Sequence, residues 1–163
     1  MPSDQKRRLV AQTLSAAAFA PFGQCLDGGD GYSINSGHAM RYDDVFRIQI
    51  DSGSIRTSLF VATGVTLPIA LWEMERHPLG SQAFVSINGA PMIAVVAPAG
   101  EFDASLMRAF HVPPGTGVNY AAGTWHHPLL SLEDGGRFLV LDCRTDAANC
   151  DVVALQHWFL AAS

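Results

Sequence analysis

Short apolar runs separated by turn residues constrain this chain more than any other feature. Asp51-Ser52-Gly53, Asn88-Gly89, Pro113-Pro114-Gly115-Thr116-Gly117 and Glu133-Asp134-Gly135-Gly136 punctuate it. From 45 the pattern alternates, with Phe46, Ile48 and Ile50 on one face and Arg47 and Gln49 on the other, the period of a half-buried strand. Further strands are expected over 55–63, 69–77, 82–87, 92–97, 106–112, 118–120, 129–132 and 138–142. The tail over 152–160 reads as strand or covering helix. Ser15 is placed to cap a short alanine-rich helix that Pro21-Phe22-Gly23 ends. Ile34-Asn35-Ser36-Gly37 is turn chemistry and reads as a loop. Many short strands at roughly ten-residue spacing specify an antiparallel sandwich or barrel.

A length of 163 residues fits one domain over residues 1–163. With 48% hydrophobic and 15% charged residues the chain can bury a real core. A formal net charge of -5 argues against nucleic acid or an anionic membrane as partner. There is no Walker loop and no GxGxxG, so nucleotide binding has no support. Cys25, Cys143 and Cys150 are odd in number and form no CxxC, which points to free thiols in a reducing cytosol. Lys6-Arg7-Arg8 precedes an apolar stretch that Gln12, Thr13 and Ser15 interrupt, so a signal peptide is not expected. No run approaches the length of a membrane helix.

Chemistry concentrates at Glu75-Arg76-His77-Pro78-Leu79-Gly80-Ser81-Gln82 and Thr124-Trp125-His126-His127-Pro128. Glu75 and His77 are two apart and share a strand face. Pro78 to Ser81 would form a hairpin loop, setting Gln82 across from His77 at about 5 Å. His126 and His127 must face opposite ways in a strand. The bend at Gly123 favours His126 pointing inward, which leaves His127 outside or at a subunit contact. Glu75, His77, Gln82 and His126 could then bind a divalent metal or do metal-free acid–base work. The bland alternative pairs Glu75 with Arg76 and leaves His77 on the rim. Arg41, Arg56 and Arg108 are candidates to hold a carboxylate, which arginine grips bidentately. Tyr120 and Trp125 read as core aromatics, Tyr120 with a hydroxyl able to donate a proton. Nothing couples Cys150 to a histidine.

These strings resemble the ureidoglycolate lyases, also called ureidoglycolate hydrolases. The likeness rests on Glu75-Arg76-His77-Pro78-Leu79-Gly80-Ser81-Gln82-Ala83-Phe84, Leu106-Met107-Arg108-Ala109-Phe110, Gly117-Val118-Asn119-Tyr120, Trp125-His126-His127-Pro128-Leu129, Asn149-Cys150-Asp151, and Ile34-Asn35-Ser36-Gly37 with Arg41-Tyr42. It covers about residues 19–152. The resemblance implies an all-β cupin, a jelly-roll-like double-stranded β-barrel with a few short helices, working as a cytoplasmic homodimer. It implies cleavage of ureidoglycolate to glyoxylate and urea in allantoin and purine nitrogen catabolism. Glu75, His77 and His126 become the expected catalytic residues. Gln82, Asn35, Arg41 and Tyr120 become the expected substrate contacts. Glu75, His77, Gln82 and His126 would be the ligands if a metal, nickel or zinc, is bound. The rivals are another small-acid cupin enzyme, a metal-dependent oxygenase or isomerase, and a non-catalytic carboxylate-binding cupin.

Overall fold

The structure is a computed structural model that describes residues 6–162; residues 1–5 and 163 of the expected domain lie outside the described residues. In chain order its elements are β1 (Arg7–Thr13), α1 (Ala16–Phe19), β2 (Gly23–Cys25), β3 (Tyr32–Ile34), β4 (Ala39–Arg41), β5 (Ser54–Ala62), β6 (Ile69–Ala70), β7 (Glu73–Arg76) and β8 (Gln82–Ser86). There follow β9 (Met92–Ala97), β10 (Arg108–Val112), β11 (Gly117–Tyr120), β12 (Trp125–His126), β13 (Leu130–Ser131), β14 (Gly136–Arg144), β15 (Asp151–Ala154) and β16 (Trp158–Ala161). Single 3-10 turns lie at Asn35–Gly37 and Ala104–Leu106.

Among the described residues two sheets carry the fold. A larger one runs β15-β7-β12-β9-β10-β1-β16-β6, with β13 also on β9, and a five-stranded one runs β2-β11-β8-β14-β5. Both contribute to one core. Met92, Ala94, Val96, Phe110 and Val112 of the larger sheet meet Phe84, Val118, Tyr120, Phe138 and Val140 of the smaller, with Phe19 and Phe22 closing it. Ile93, Val95 and Ala97 point the other way into a second cluster with Leu71, Met74, Trp125 and Leu160. The run Met92–Ala97 is therefore unbroken in apolar character because β9 is buried on both faces. Apolar area on this scale is the main force holding the barrel closed. This is the all-β double-stranded barrel that the strand spacing and the resemblance led us to expect.

Several expectations change. The alternating segment at 45–50 forms no strand beyond a single bridge between Ile50 and Gly80. Its backbone is satisfied otherwise: the Arg47 amide donates to Gln24 Oε1, the Gln49 amide to Ser81 Oγ, and the Arg47 carbonyl accepts from Asn119 Nδ2. Side chains on or beside β2, β8 and β11 of the smaller sheet thus replace a ladder. Residues 69–77 divide into β6, paired with β16, and β7, paired with β15 and β12. The chain before α1 forms β1, parallel to both β10 and β16. Ser15 does cap α1, accepting from the Ala18 amide. The Asn35 loop closes a hairpin of β3 and β4, with Asn35 and Ser36 both at positive φ. The tail is two strands, β15 and β16.

No hairpin joins His77 to Gln82. β7 belongs to the larger sheet and β8 to the smaller, so 77–81 is a crossing between sheets. Gly80 allows it. A Cβ there would lie 2.5 Å from Cys143 Cβ and 3.1 Å from the Gln49 carbonyl oxygen, closer than a side chain tolerates.

Candidate functional site

Strand alternation builds the site. Met74 faces the outer cluster, so Glu75 faces the interior. Trp125 likewise packs outward, and His126 turns inward beside Val96 of the inner core. Glu75 and His126 are directly opposed across β7 and β12, and side chains of such a pair share a face. His77, just beyond β7, returns to the same place two residues from Glu75.

The result is a group of acceptors without donors. Glu75 Oε1 lies 3.4 Å from His126 Nε2 and 3.8 Å from His77 Nε2. His126 Nδ1 donates to the Thr124 carbonyl at 3.0 Å, and His77 Nδ1 donates to the Asn149 carbonyl at 2.9 Å. With that proton on Nδ1, each neutral ring leaves a bare lone pair on Nε2. Both Nε2 atoms are buried with no hydrogen-bond partner. When His126 carries its second proton, on Nε2, the hydrogen bond it gives Oε1 and its charge pull the Glu75 carboxyl below the usual carboxylate range, against the opposing effect of burial. His77 and His127 add smaller pulls in the same downward direction.

Two lone pairs and one carboxylate oxygen meeting in a sheltered space call for a positive charge between them. The ligating atoms of Glu75, His77 and His126 all lie within 4.8 Å of one another. Bonds of about 2.1 Å at tetrahedral angles would put donors about 3.4 Å apart, so the trio fits a divalent cation with small adjustments. Backbone carbonyls that hold each imidazole by its other nitrogen are the usual support for metal-binding histidines. Gln82 Oε1 is also buried and unpartnered.

Around this trio the walls are distinct. The Tyr120 ring stacks on His126 with centroids 4.5 Å apart, and burial drives its phenol well above its ordinary pKa, so the hydroxyl keeps its proton. Gln82 is the direct strand partner of Tyr120 and shares its face. A cavity of about 260 Å³ opens beside His77, lined also by Arg56, Ser81, Asp142, Arg144 and Cys150. That is room for a small acid rather than a drug-sized ligand. Cys150, a wall of the cavity, has its Sγ 4.0 Å from Glu75 Oε2, while Glu75 Oε1 faces the imidazoles; Glu75, Gln82, Tyr120 and His126 lie behind that wall and not on the cavity lining. Burial and the Glu75 charge raise the Cys150 thiol, which stays protonated.

The arginines sort themselves by partner. Arg56 grips Asp142 with Nε at 2.8 Å and Nη2 at 2.9 Å. Arg41 pairs with Asp43 on the β3–β4 hairpin. Arg108 donates to the Met107 carbonyl. Neither Arg41 nor Arg108 lines the cavity, and Asn35 does not either. Arg144 does, on the inner face of β14 two residues past Asp142, and no side-chain partner is found for it among the described residues.

Sequence reasoning passed over Arg144, Asp142 and Asn149. One signal was present: Asp142 falls in phase with the inward residues Phe138 and Val140, an odd place for a lone acid. His127 differs from expectation. It turns outward as alternation demands, but it is 2% exposed, not at the surface. Its Nδ1 donates to the Pro128 carbonyl, its Nε2 accepts from the Trp72 amide, and its ring packs edge-on against Trp72. Burial pushes its pKa down to about 4.

A β-barrel that gathers two imidazoles and a carboxylate on its inner face defines a class of site able to hold a divalent cation or to do acid–base chemistry. The ureidoglycolate lyase family matches residues 6–161. Relatives named ureidoglycolate lyase include one from Burkholderia mallei, 44% identical over 147 residues, which are 88% of this chain and 86% of that one. Another, from Azotobacter vinelandii, is 42% identical over 158 residues, 94% of this chain and 93% of its own. Among solved structures, Bacillus subtilis oxalate decarboxylase gives a TM-score of 0.41 at 15% identity, over 63% of this chain and 24% of that one. A dTDP sugar isomerase from Desulfovibrio desulfuricans gives 0.44 at 16%, over 84% and 87%. The chain belongs to the ureidoglycolate lyase family.

Proposed function

We propose that this protein is a ureidoglycolate lyase that cleaves ureidoglycolate to glyoxylate and urea, serving allantoin and purine nitrogen breakdown. The observation that carries the site assignment is the convergence of Glu75 Oε1 with two bare imidazole nitrogens beside a small-acid cavity.

The substrate carbon bears a carboxylate, a hydroxyl and a ureido nitrogen. Arg144, the cavity arginine left without an acid partner, holds the carboxylate. Glu75 takes the hydroxyl proton at Oε2, the oxygen turned toward Cys150, and delivers it to the ureido nitrogen as the carbon–nitrogen bond breaks. One proton leaves oxygen and one reaches nitrogen, so the two products balance the substrate. When protonated, His126 and His77 hold Glu75 anionic between turnovers. Tyr120 holds the His126 ring in place by stacking, and Gln82 meets the ureido group from the opposite sheet. Glu75, His77 and His126 would hold a divalent metal, and nickel or zinc suits that set. Such an ion supplies Lewis acidity that makes the hydroxyl easier to deprotonate.

The chain acts as one catalytic domain over residues 1–163 and pairs as a homodimer in the cytoplasm. Exposed Ile55, Leu59, Val61 and Leu139 on the outer face of β5 and β14 support a partner there, and three free thiols suit a reducing compartment. The test is product analysis with racemic ureidoglycolate. Glyoxylate with equimolar urea is expected. Ammonia in place of urea would mean a hydrolase, and no turnover above the spontaneous rate would leave a binding protein.

A further inference from the structure

Gln82 is 6% exposed and sits between two very different neighbours. On one side its Nε2 donates to Asp142 Oδ2 at 3.3 Å. Its Oε1 is buried and has no partner. Asp142 is itself 8% exposed and is held by the two-pronged contact with Arg56. An ionised carboxylate only accepts hydrogen bonds. Whatever faces Asp142 must therefore be the NH₂ end of the Gln82 amide, and the carbonyl end is turned the other way. β8 runs between β14 and β11, so on the side away from Asp142 stands Tyr120, the β11 partner of Gln82, whose ring covers His126.

We infer that Asp142, braced by Arg56, is a positioning residue that locks Gln82 with Oε1 toward the reaction site, where it accepts an N–H from the ureido end of the substrate. This deepens the lyase reading and rests on it. A simple hydroxy acid places no N–H donor where the ureido group would lie, so the arrangement selects a ureido acid over it. Arg56 lines the cavity, but its fork serves Asp142, which leaves the substrate carboxylate to another cation.

Two stable probes separate the ends of the substrate. Ureidoacetate carries the ureido group and carboxylate but no hydroxyl, so it cannot be cleaved. Glycolate carries the hydroxyl and carboxylate but no ureido group. Binding of each is measured by titration calorimetry on the protein as purified, with metal content recorded. In Asp142→Asn the neighbour can donate as well as accept, so Gln82 is free to turn. Ureidoacetate should bind about tenfold more weakly, the worth of one buried hydrogen bond, and glycolate within about twofold of wild type. Gln82→Leu leaves the Arg56–Asp142 pair intact and should show the same selective loss.

Equal weakening of both probes, or unchanged ureidoacetate binding in either variant, would overturn the inference. So would loss of metal from Gln82→Leu, which would make Gln82 a ligand instead. Wild-type protein that fails to bind ureidoacetate also overturns it. Wild-type turnover of ureidoglycolate is scored separately: binding of ureidoacetate without turnover would sink the lyase reading while the affinity ratios still decide the role of Gln82.

Discussion

Addition of a divalent cation should stabilise the folded chain, and Glu75→Gln should abolish most of that gain. The unfolded chain cannot bring positions 75, 77 and 126 together, so a cation bound by the trio favours the native state alone. At a hundred times its dissociation constant, a ligand of this kind contributes about 2.7 kcal/mol. In a chain of 163 residues each kcal/mol is worth about 2–4 °C in Tm, so a rise of about 5–11 °C is expected. Glu75 is the one anionic donor of the three. Its replacement by glutamine removes the charge and brings an amide N–H within reach of His126 Nε2, now 3.4 Å from Oε1. That N–H satisfies the orphan nitrogen and competes with a cation for it. Thermal unfolding of chelator-treated protein, alone and with nickel or zinc, should show the wild-type rise shrink to about 2 °C or less in the variant. No shift in wild type at millimolar metal would refute the reasoning. An undiminished shift in Glu75→Gln would place the cation elsewhere.

His77→Ala and His126→Ala should each lower turnover at least about a hundredfold, by the usual size of effects in acid–base sites; near-normal rates in both would remove them from the mechanism. Arg144→Ala should raise KM about tenfold or more with a much smaller change in kcat, whereas Arg108→Ala, whose guanidinium is engaged outside the cavity, should leave both near wild type. Equal effects from the two arginines would count against Arg144 as the carboxylate anchor. His127→Phe should cost about 1–3 kcal/mol in denaturant unfolding, because the Trp72 amide loses its buried acceptor. A cost below about 0.5 kcal/mol would mean that water or a shift of β7 replaces that bond.

The barrel was legible because strand period and turn chemistry are local. Met92–Ala97 announces an apolar strand, and Ser15 announces a helix start, whatever the rest of the chain does. The same local rule failed at 45–50. Alternation there is real, but side chains of Gln24, Ser81 and Asn119 take backbone groups of Arg47 and Gln49 that a neighbouring strand would otherwise pair with. It failed again at 77–82, where four residues with proline and glycine look like a hairpin loop. Two residues of different sheets lie at its ends, and nothing in the string states which sheet each strand joins.

From sequence alone, period two fixes that Glu75 and His77 face together and that only one of His126 and His127 can join them. Those statements follow from the geometry of an extended chain and need no knowledge of its neighbours. The tertiary structure decided what lies opposite. It set Glu75 against His126 across β7 and β12, turned each imidazole by a backbone carbonyl from 2 or 72 positions away, and placed Arg56 against Asp142 across 86. Partners so far apart in the chain meet only when the sheets close over a common core. Which arginine stays free, and which end of Gln82 looks inward, are therefore properties of the closed barrel and not of any one strand.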